Sequence, residues 1–211
     1  MSGSALATLR GVHKLETFAS FSVTAAFSDR ALNMRFAEDL PPGESGRQAF
    51  CEALSIPPQD LVCLEQIHGA NIVLAGSEMK GRGSLNRVDA VPRADGIISR
   101  ERGIPLGVLT ADCASVFFFD PRRQTVGMAH IGWRGAMAGL AEKMVAAFHN
   151  NFVSRPRDLH VALGPMIRPC CYEVGEEVAS CFPGSASKRK GRIFLDLPVV
   201  IRAALVTSGV P

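Results

Sequence analysis

Apolar positions fall along this chain in short blocks, and their spacing sorts them into helices and strands. In residues 44–54, Ala49, Phe50, Ala53 and Leu54 lie on one helical face between Pro41-Pro42-Gly43 and Pro57-Pro58, which predicts a short amphipathic helix. Two apolar runs follow, 61–66 and 71–75. Separated only by Ile67-His68-Gly69-Ala70, they read as a hairpin with His68 at its tip. Residues 76–93 are polar and rich in glycine, the composition of a mobile flap. The runs at 107–110, 115–119 and 125–129 are continuously apolar rather than alternating, as in strands buried on both faces. From Arg134 onward, Met137, Leu140, Ala141, Met144, Val145 and Phe148 recur on one helical stripe, with Glu142 and Lys143 off it, predicting a helix of about four turns. A strand at 159–163 comes next. Helices are predicted at 173–182, with Val174, Val178 and Phe182 inward, and at 198–206, with Pro198 in the first turn. The basic stretch 184–192 reads as a solvated loop.

Composition narrows the class. With 47% hydrophobic and 20% charged residues in 211, the chain is too apolar for disorder and too charged for a membrane bundle. No repeat and no membrane-length apolar run appears, so one domain over 1–211 is expected. The net charge of +3 is spread along the chain apart from Lys188, Arg189, Lys190 and Arg192, which leaves no footprint for nucleic acid. Six cysteines are too few for a disulfide scaffold, and the N-terminus has neither a basic region nor a long apolar stretch. Reduced thiols and a cytoplasmic location are therefore expected. No Cys-x-x-Cys occurs, which argues against a structural zinc site built from four cysteines. The five histidines, His13, His68, His130, His149 and His160, include no His-x-His pair.

One segment carries chemistry by its spacing. Asp120-Pro121 marks a turn between the runs that start at Cys113 and end at His130. With a two-residue loop at Pro121-Arg122, Asp120 faces Arg123 and Cys113 faces His130, their Cβ atoms about 5 Å apart on one face of the sheet. A three-residue loop would slip the register by one and separate them. A thiolate and an imidazole at that distance can share a Zn²⁺ ion, or act without metal as the nucleophile and base of a thiol hydrolase. Beyond His130, Gly132-Trp133-Arg134-Gly135 enters a helix whose free N–H groups, with Arg134, suit an anion such as phosphate. On a plainer reading those glycines only permit close packing of helix on sheet.

These residues also resemble a known family. Gln66-Ile67-His68-Gly69, Ala94-Asp95-Gly96, Leu109-Thr110-Ala111-Asp112-Cys113, Ala129-His130-Ile131-Gly132-Trp133-Arg134-Gly135, and Leu163-Gly164-Pro165-Met166-Ile167 through Cys170-Cys171-Tyr172-Glu173-Val174-Gly175 are similar, in order, to the fingerprints of the YfiH-type family. That group is long labelled laccase-like polyphenol oxidases and has since been assigned purine nucleoside phosphorylase activity. The resemblance implies a four-layer α/β/β/α domain with mixed sheets. It also implies a metal held by His68, Cys113 and His130. Three protein ligands with an open position are the pattern of a catalytic zinc. The family's Arg-x-Gly-Gly stretch is not evident, although Ala31-Leu32-Asn33-Met34 resembles the Ser-Leu-Asn-Leu that follows it. The chain ends at Pro211, before the Cys-Thr and Ser-x-Arg segments expected of the family.

Five histidines without a His-x-His pair cannot furnish the copper sites of a multicopper oxidase, whatever the label. Zinc deaminases of the His-x-Glu and Pro-Cys-x-x-Cys type are excluded because both halves of that signature are missing. The resemblance implies zinc, with copper as a second metal, and phosphorolysis of adenosine or inosine with phosphate to free base and ribose 1-phosphate. It also implies adenosine deamination as a side activity. Asp112, Cys113 and Arg134 are then the expected catalytic residues, and Asn33, Gln66, Trp133 and Arg134 the expected substrate contacts. Asp112 serves as base only if the chain turns there, since neighbouring strand residues face opposite ways. A metal-free Cys-His hydrolase and a non-catalytic family member are the alternatives.

Overall fold

The computed structural model describes residues 11–41 and 45–211. The opening stretch read above for a leader, and Pro42, Gly43 and Glu44 at the start of the first expected helix, lie outside the described residues. In chain order the elements are β1 (Val12–Lys14), β2 (Ala26–Ser28), α1 (Arg47–Ala53), β3 (Val62–Cys63), β4 (Ile72–Leu74), β5 (Gly96–Ser99), β6 (Leu106–Gly107), β7 (Ala114–Asp120) and β8 (Thr125–Ile131). Then come α2 (Trp133–Met137), α3 (Leu140–Phe152), β9 (His160–Leu163), β10 (Glu173–Val174), α4 (Glu176–Ala179), β11 (Ala186–Arg189), β12 (Arg192–Leu195) and α5 (Leu197–Thr207).

The most apolar run of the chain makes the centre of the molecule. Every residue of β7 is buried, and it lies between β8 and β9 in a five-stranded sheet ordered β4-β5-β8-β7-β9. Only β4 and β5 pair in parallel within it. Alternation of side chains then splits the strands between two interfaces. Ile98, Val116, Phe118, Ala129 and Ile131 pack on Leu140, Met144, Val145 and Phe148 of α3 and on Ile201 and Leu205 of α5. Each such side chain, fully buried, is worth about 1.5–3 kcal/mol. On the other face Ile97 meets Val62, Leu64 and Ile104 around the parallel pair β3–β6. Phe117 and Phe119 cover Phe18 beside it. Outside that second layer, Cys51 of α1 packs on Leu61 and Cys63. The order is helix, sheet, sheet, helix, as the resemblance implies.

Several sequence expectations change. The runs at 61–66 and 71–75 are not a hairpin: β3 pairs with β6 and β4 with β5, so they belong to different sheets. The stretch 76–93 is stitched down rather than a flap. Cys63 N–H donates to Arg82 O, Val91 N–H to Cys63 O, and the buried Arg47 guanidinium donates to the carbonyls of Gly83 and Ser84. The long helix from Arg134 is two helices, broken where Gly139 takes φ +74°, which leaves Met137 exposed on the first piece. The helix expected over 173–182 is only α4, because Glu173 and Val174 pair with β12 instead. The basic stretch at 184–192 is a hairpin, β11–β12, whose charged side chains remain in solvent.

Candidate metal centre

The site forms where β8 ends and β7 begins, on the face turned toward the second sheet. His130 is the penultimate residue of β8 and 3% exposed. Its partner across the ladder is Ser115, not Cys113. The turn between β7 and β8 has four residues, since Asp120 pairs with Thr125, two more than the spacing argument assumed. A slip of two keeps each side chain on its face, so Cys113 becomes the diagonal neighbour of His130 and still points to the same place. The third donor, His68, comes from the link between β3 and β4. It sits in a tight bend at φ 59°, a left-handed conformation.

The ligand atoms of His68, Cys113 and His130 all lie within 4.8 Å of one another, and this is the cluster of three side chains able to hold a metal ion found among the described residues. The two imidazoles stand 4.8 Å apart between centroids, at 80°. Glycine makes the approach possible: a Cβ on Gly132 would stand 2.7 Å from the Cys113 sulfur. The other histidines are occupied elsewhere, His13 with Asp29, His149 with the Ser154 carbonyl and His160 against Phe21.

Asp95 holds the arrangement together, a residue the family motif contains but to which sequence reasoning assigned no task. Fully buried, its carboxylate accepts from the N–H groups of Ile67 (3.2 Å), His68 (2.9 Å) and Gly69 (2.7 Å) and meets His130 Nδ1 at 2.9 Å. One side chain therefore fixes the loop that carries His68 and the ring of His130. With Nδ1 engaged, Nε2 of His130 is the nitrogen left to bind a metal. Burial pushes the Asp95 carboxyl up, but the hydrogen bonds from His130, Gly69 and Ile67 outweigh it and hold the group below its ordinary value. Burial lowers His130, yet its bonds to Asp95 and Cys113 raise it to about 9 in the metal-free chain. His68, desolvated and beside His130 with Arg134 nearby, is lowered.

A soft thiolate with two imidazoles is a donor set suited to zinc, and the buried carboxylate behind one imidazole is the support such ligands use. Cys113, His130 and Asp95 also make a thiol–imidazole–carboxylate line, but that line gives no part to the converging His68.

The remaining expected residues divide. Arg134 is exposed, its guanidinium 4.4 Å from the centre of the half-buried Trp133 ring. The helix it lies in has five residues, so an anion here rests on the Arg134 side chain more than on a helix dipole. The chain bends through 111–113, which frees Asp112 from strand alternation; the residue is exposed and its carbonyl accepts from Ile167 N–H. Gln66, expected to contact substrate, is engaged within the chain. Its amide nitrogen donates to Leu109 O and its amide oxygen accepts from Leu109 N–H, both at 2.7 Å, so the side chain clamps the His68 loop to the segment leading to Cys113. Asn33 lies in an exposed segment, where its side chain accepts from Arg35 N–H and its carbonyl from Gly46 N–H.

A family profile described as "Multi-copper polyphenol oxidoreductase laccase" matches residues 21–211. The chain belongs to this family. It is 32% identical over 194 residues to purine nucleoside phosphorylase YlmD of Geobacillus stearothermophilus, covering 88% of this chain and 71% of that protein. To adenosine deaminase RL5, from an unknown prokaryotic organism, it is 29% identical over 174 residues, which cover 78% of this chain and 66% of the relative. The crystal structure of the Bacillus licheniformis hypothetical protein YfiH superimposes with a TM-score of 0.86 at 26% identity, over 96% of this chain and 83% of that one. The α/β fold is thus that of the YfiH-like proteins.

Proposed function

We propose that this chain is a zinc-dependent purine nucleoside phosphorylase that splits adenosine or inosine with phosphate into free base and ribose 1-phosphate, with adenosine deamination as a second activity. The observation that carries the reading is the convergence of His68, Cys113 and His130 beside the Arg134 guanidinium, in a chain whose relatives bear the names of both activities. His68, Cys113 and His130 would hold the metal. When bound, it supplies Lewis-acid stabilisation of charge on the departing purine. Arg134 supplies a fixed cation for phosphate, and Trp133 a flat apolar surface for a purine ring. Asp112, exposed on its bend, would carry a proton. Asp95 keeps His130 in one tautomer and orientation.

Incubation of the zinc-loaded chain with inosine, with and without phosphate, tests the reading. The expected result is hypoxanthine and ribose 1-phosphate formed only when phosphate is present, with the rate lost in Cys113→Ala together with the zinc. Arg134→Ala raises the KM for phosphate. A phosphate-independent rate, or none, overturns phosphorolysis. A rate that persists in the zinc-free chain and disappears only with the thiol would instead establish the hydrolase.

A further inference from the structure

Outside the candidate centre, two nucleophiles stand side by side without a role in the chemistry above. Cys170 and Cys171 are both exposed, and their Sγ atoms are 3.3 Å apart. They occupy a tight turn in which the N–H groups of Cys171 and Tyr172 both donate to Arg168 O. Arg189, stacked over the Phe194 ring, donates to the Pro169 carbonyl and fixes the turn from the outside. The other cysteines are placed differently. Cys51 and Cys63 are buried, Cys113 belongs to the centre, and the exposed Cys181 donates to the Glu177 carbonyl.

Both flanks of this turn reach the centre. Upstream, Ile167 N–H donates to Asp112 O, one residue before Cys113. Downstream, Tyr172 packs with Trp133 and Ala136 against Val178, Phe182 and Leu195. A change in the turn therefore bears on the two aromatic rings at one side of the site.

We propose that Cys170 and Cys171 form a modification site, a vicinal dithiol that closes to a disulfide by exchange with low-molecular-weight disulfides and in closing displaces Tyr172 and Trp133. One thiolate attacks a sulfur of the small disulfide; that S–S bond breaks, and the first small thiolate leaves and takes a proton from water. The adjacent cysteine then gives up its proton and attacks the mixed disulfide at the cysteinyl sulfur, expelling the second small thiolate, which is protonated in turn. Two electrons pass from the dithiol to the small disulfide, so one S–S bond forms as another is broken. The hydrogen bond with Cys170 pushes the Cys171 thiol up. Adjacent Cα atoms are about 3.8 Å apart across a trans peptide, short of the usual disulfide span of about 4.4–6.8 Å. The ring is therefore strained and readily reduced, as a reversible modification requires.

The test uses the full chain loaded with zinc, treated with oxidised glutathione, quenched with iodoacetamide and mapped by peptide mass. The expected product is an unalkylated Cys170-Cys171 peptide lighter by two hydrogens, reversed by dithiothreitol and accompanied by a change in the emission of Trp133, the sole tryptophan. Cys181→Ser leaves this unchanged. In Cys171→Ser the glutathione adduct stays on Cys170 and accumulates about tenfold or more, because no neighbour expels it. A lasting adduct in the unsubstituted chain, or full alkylation of both cysteines after treatment, overturns the proposal. Ring closure with unchanged Trp133 emission overturns the displacement of the aromatic pair.

Discussion

At the candidate centre Asp95 joins two separate parts of the chain, because one carboxylate satisfies three consecutive backbone donors and a histidine ring. Asp95→Asn preserves the shape but turns an amide N–H₂ toward groups that are themselves donors. Zinc affinity is expected to fall by roughly 10- to 100-fold, what loss of such a support costs, as read by competition with a chromogenic chelator. Proton linkage gives a second test in the metal-free chain. His130 is raised from 6.5 to about 9, so its contribution to stability is complete below pH 6.5 and is lost as pH rises through 9. Asp95 is lowered from 3.8, so its contribution is present above that value and disappears on acidification. Denaturant midpoints of the metal-free protein should decline between pH 6.5 and 9, and Asp95→Asn should flatten that decline. The convergence of His68, Cys113 and His130 was legible in sequence because each lies in a motif. The task of Asp95 was not, because β5 went unpredicted, and only its register with β8 sets Asp95 opposite His130.

At the scale of elements, the apolar strands were readable and their connections were not. Continuous hydrophobicity identified β7 and β8, and Leu140, Ala141, Met144, Val145 and Phe148 are indeed the buried stripe of α3. Apolar runs do not state their partners, so β3 and β4 looked like a hairpin although they pair in separate sheets. Turn length was equally hidden. Asp120 accepts from the N–H groups of Arg122 and Arg123, a local arrangement that organises a four-residue loop. The helical stripe also ran unbroken through Gly139, whose backbone breaks the helix. An L-residue loses about 1–2 kcal/mol in that left-handed conformation. Gly139→Ala should accordingly lower the unfolding free energy by about that much in denaturant titration, with little effect on zinc affinity, since α2 and its Arg134 precede the break.

Across the whole molecule, His68 stands on the link between two sheets, while His130 belongs to the central sheet and Cys113 to the bend that enters it. A metal bound there stabilises only the folded arrangement of layers. Zinc at about 100 times its Kd adds about 2.7 kcal/mol, so stripping it with a chelator should lower the Tm by roughly 5–10 °C in calorimetry. Amides of the His68 loop should lose hydrogen-exchange protection before those of β7 and β8. The layered order was legible only through resemblance, because hydrophobic periodicity says which face is buried and not which element buries it.

The N–H groups of Ile67, His68 and Gly69 form a socket for an anion, and the chain plugs it with its own carboxylate. A socket filled from within can also be filled from outside. Asp95→Gly would empty it without removing a donor, and free formate should then enter and return part of the lost zinc affinity, which chelator competition at rising formate would measure. The position of the His68 loop would thereby become adjustable by a solute, where the native protein has it permanently set.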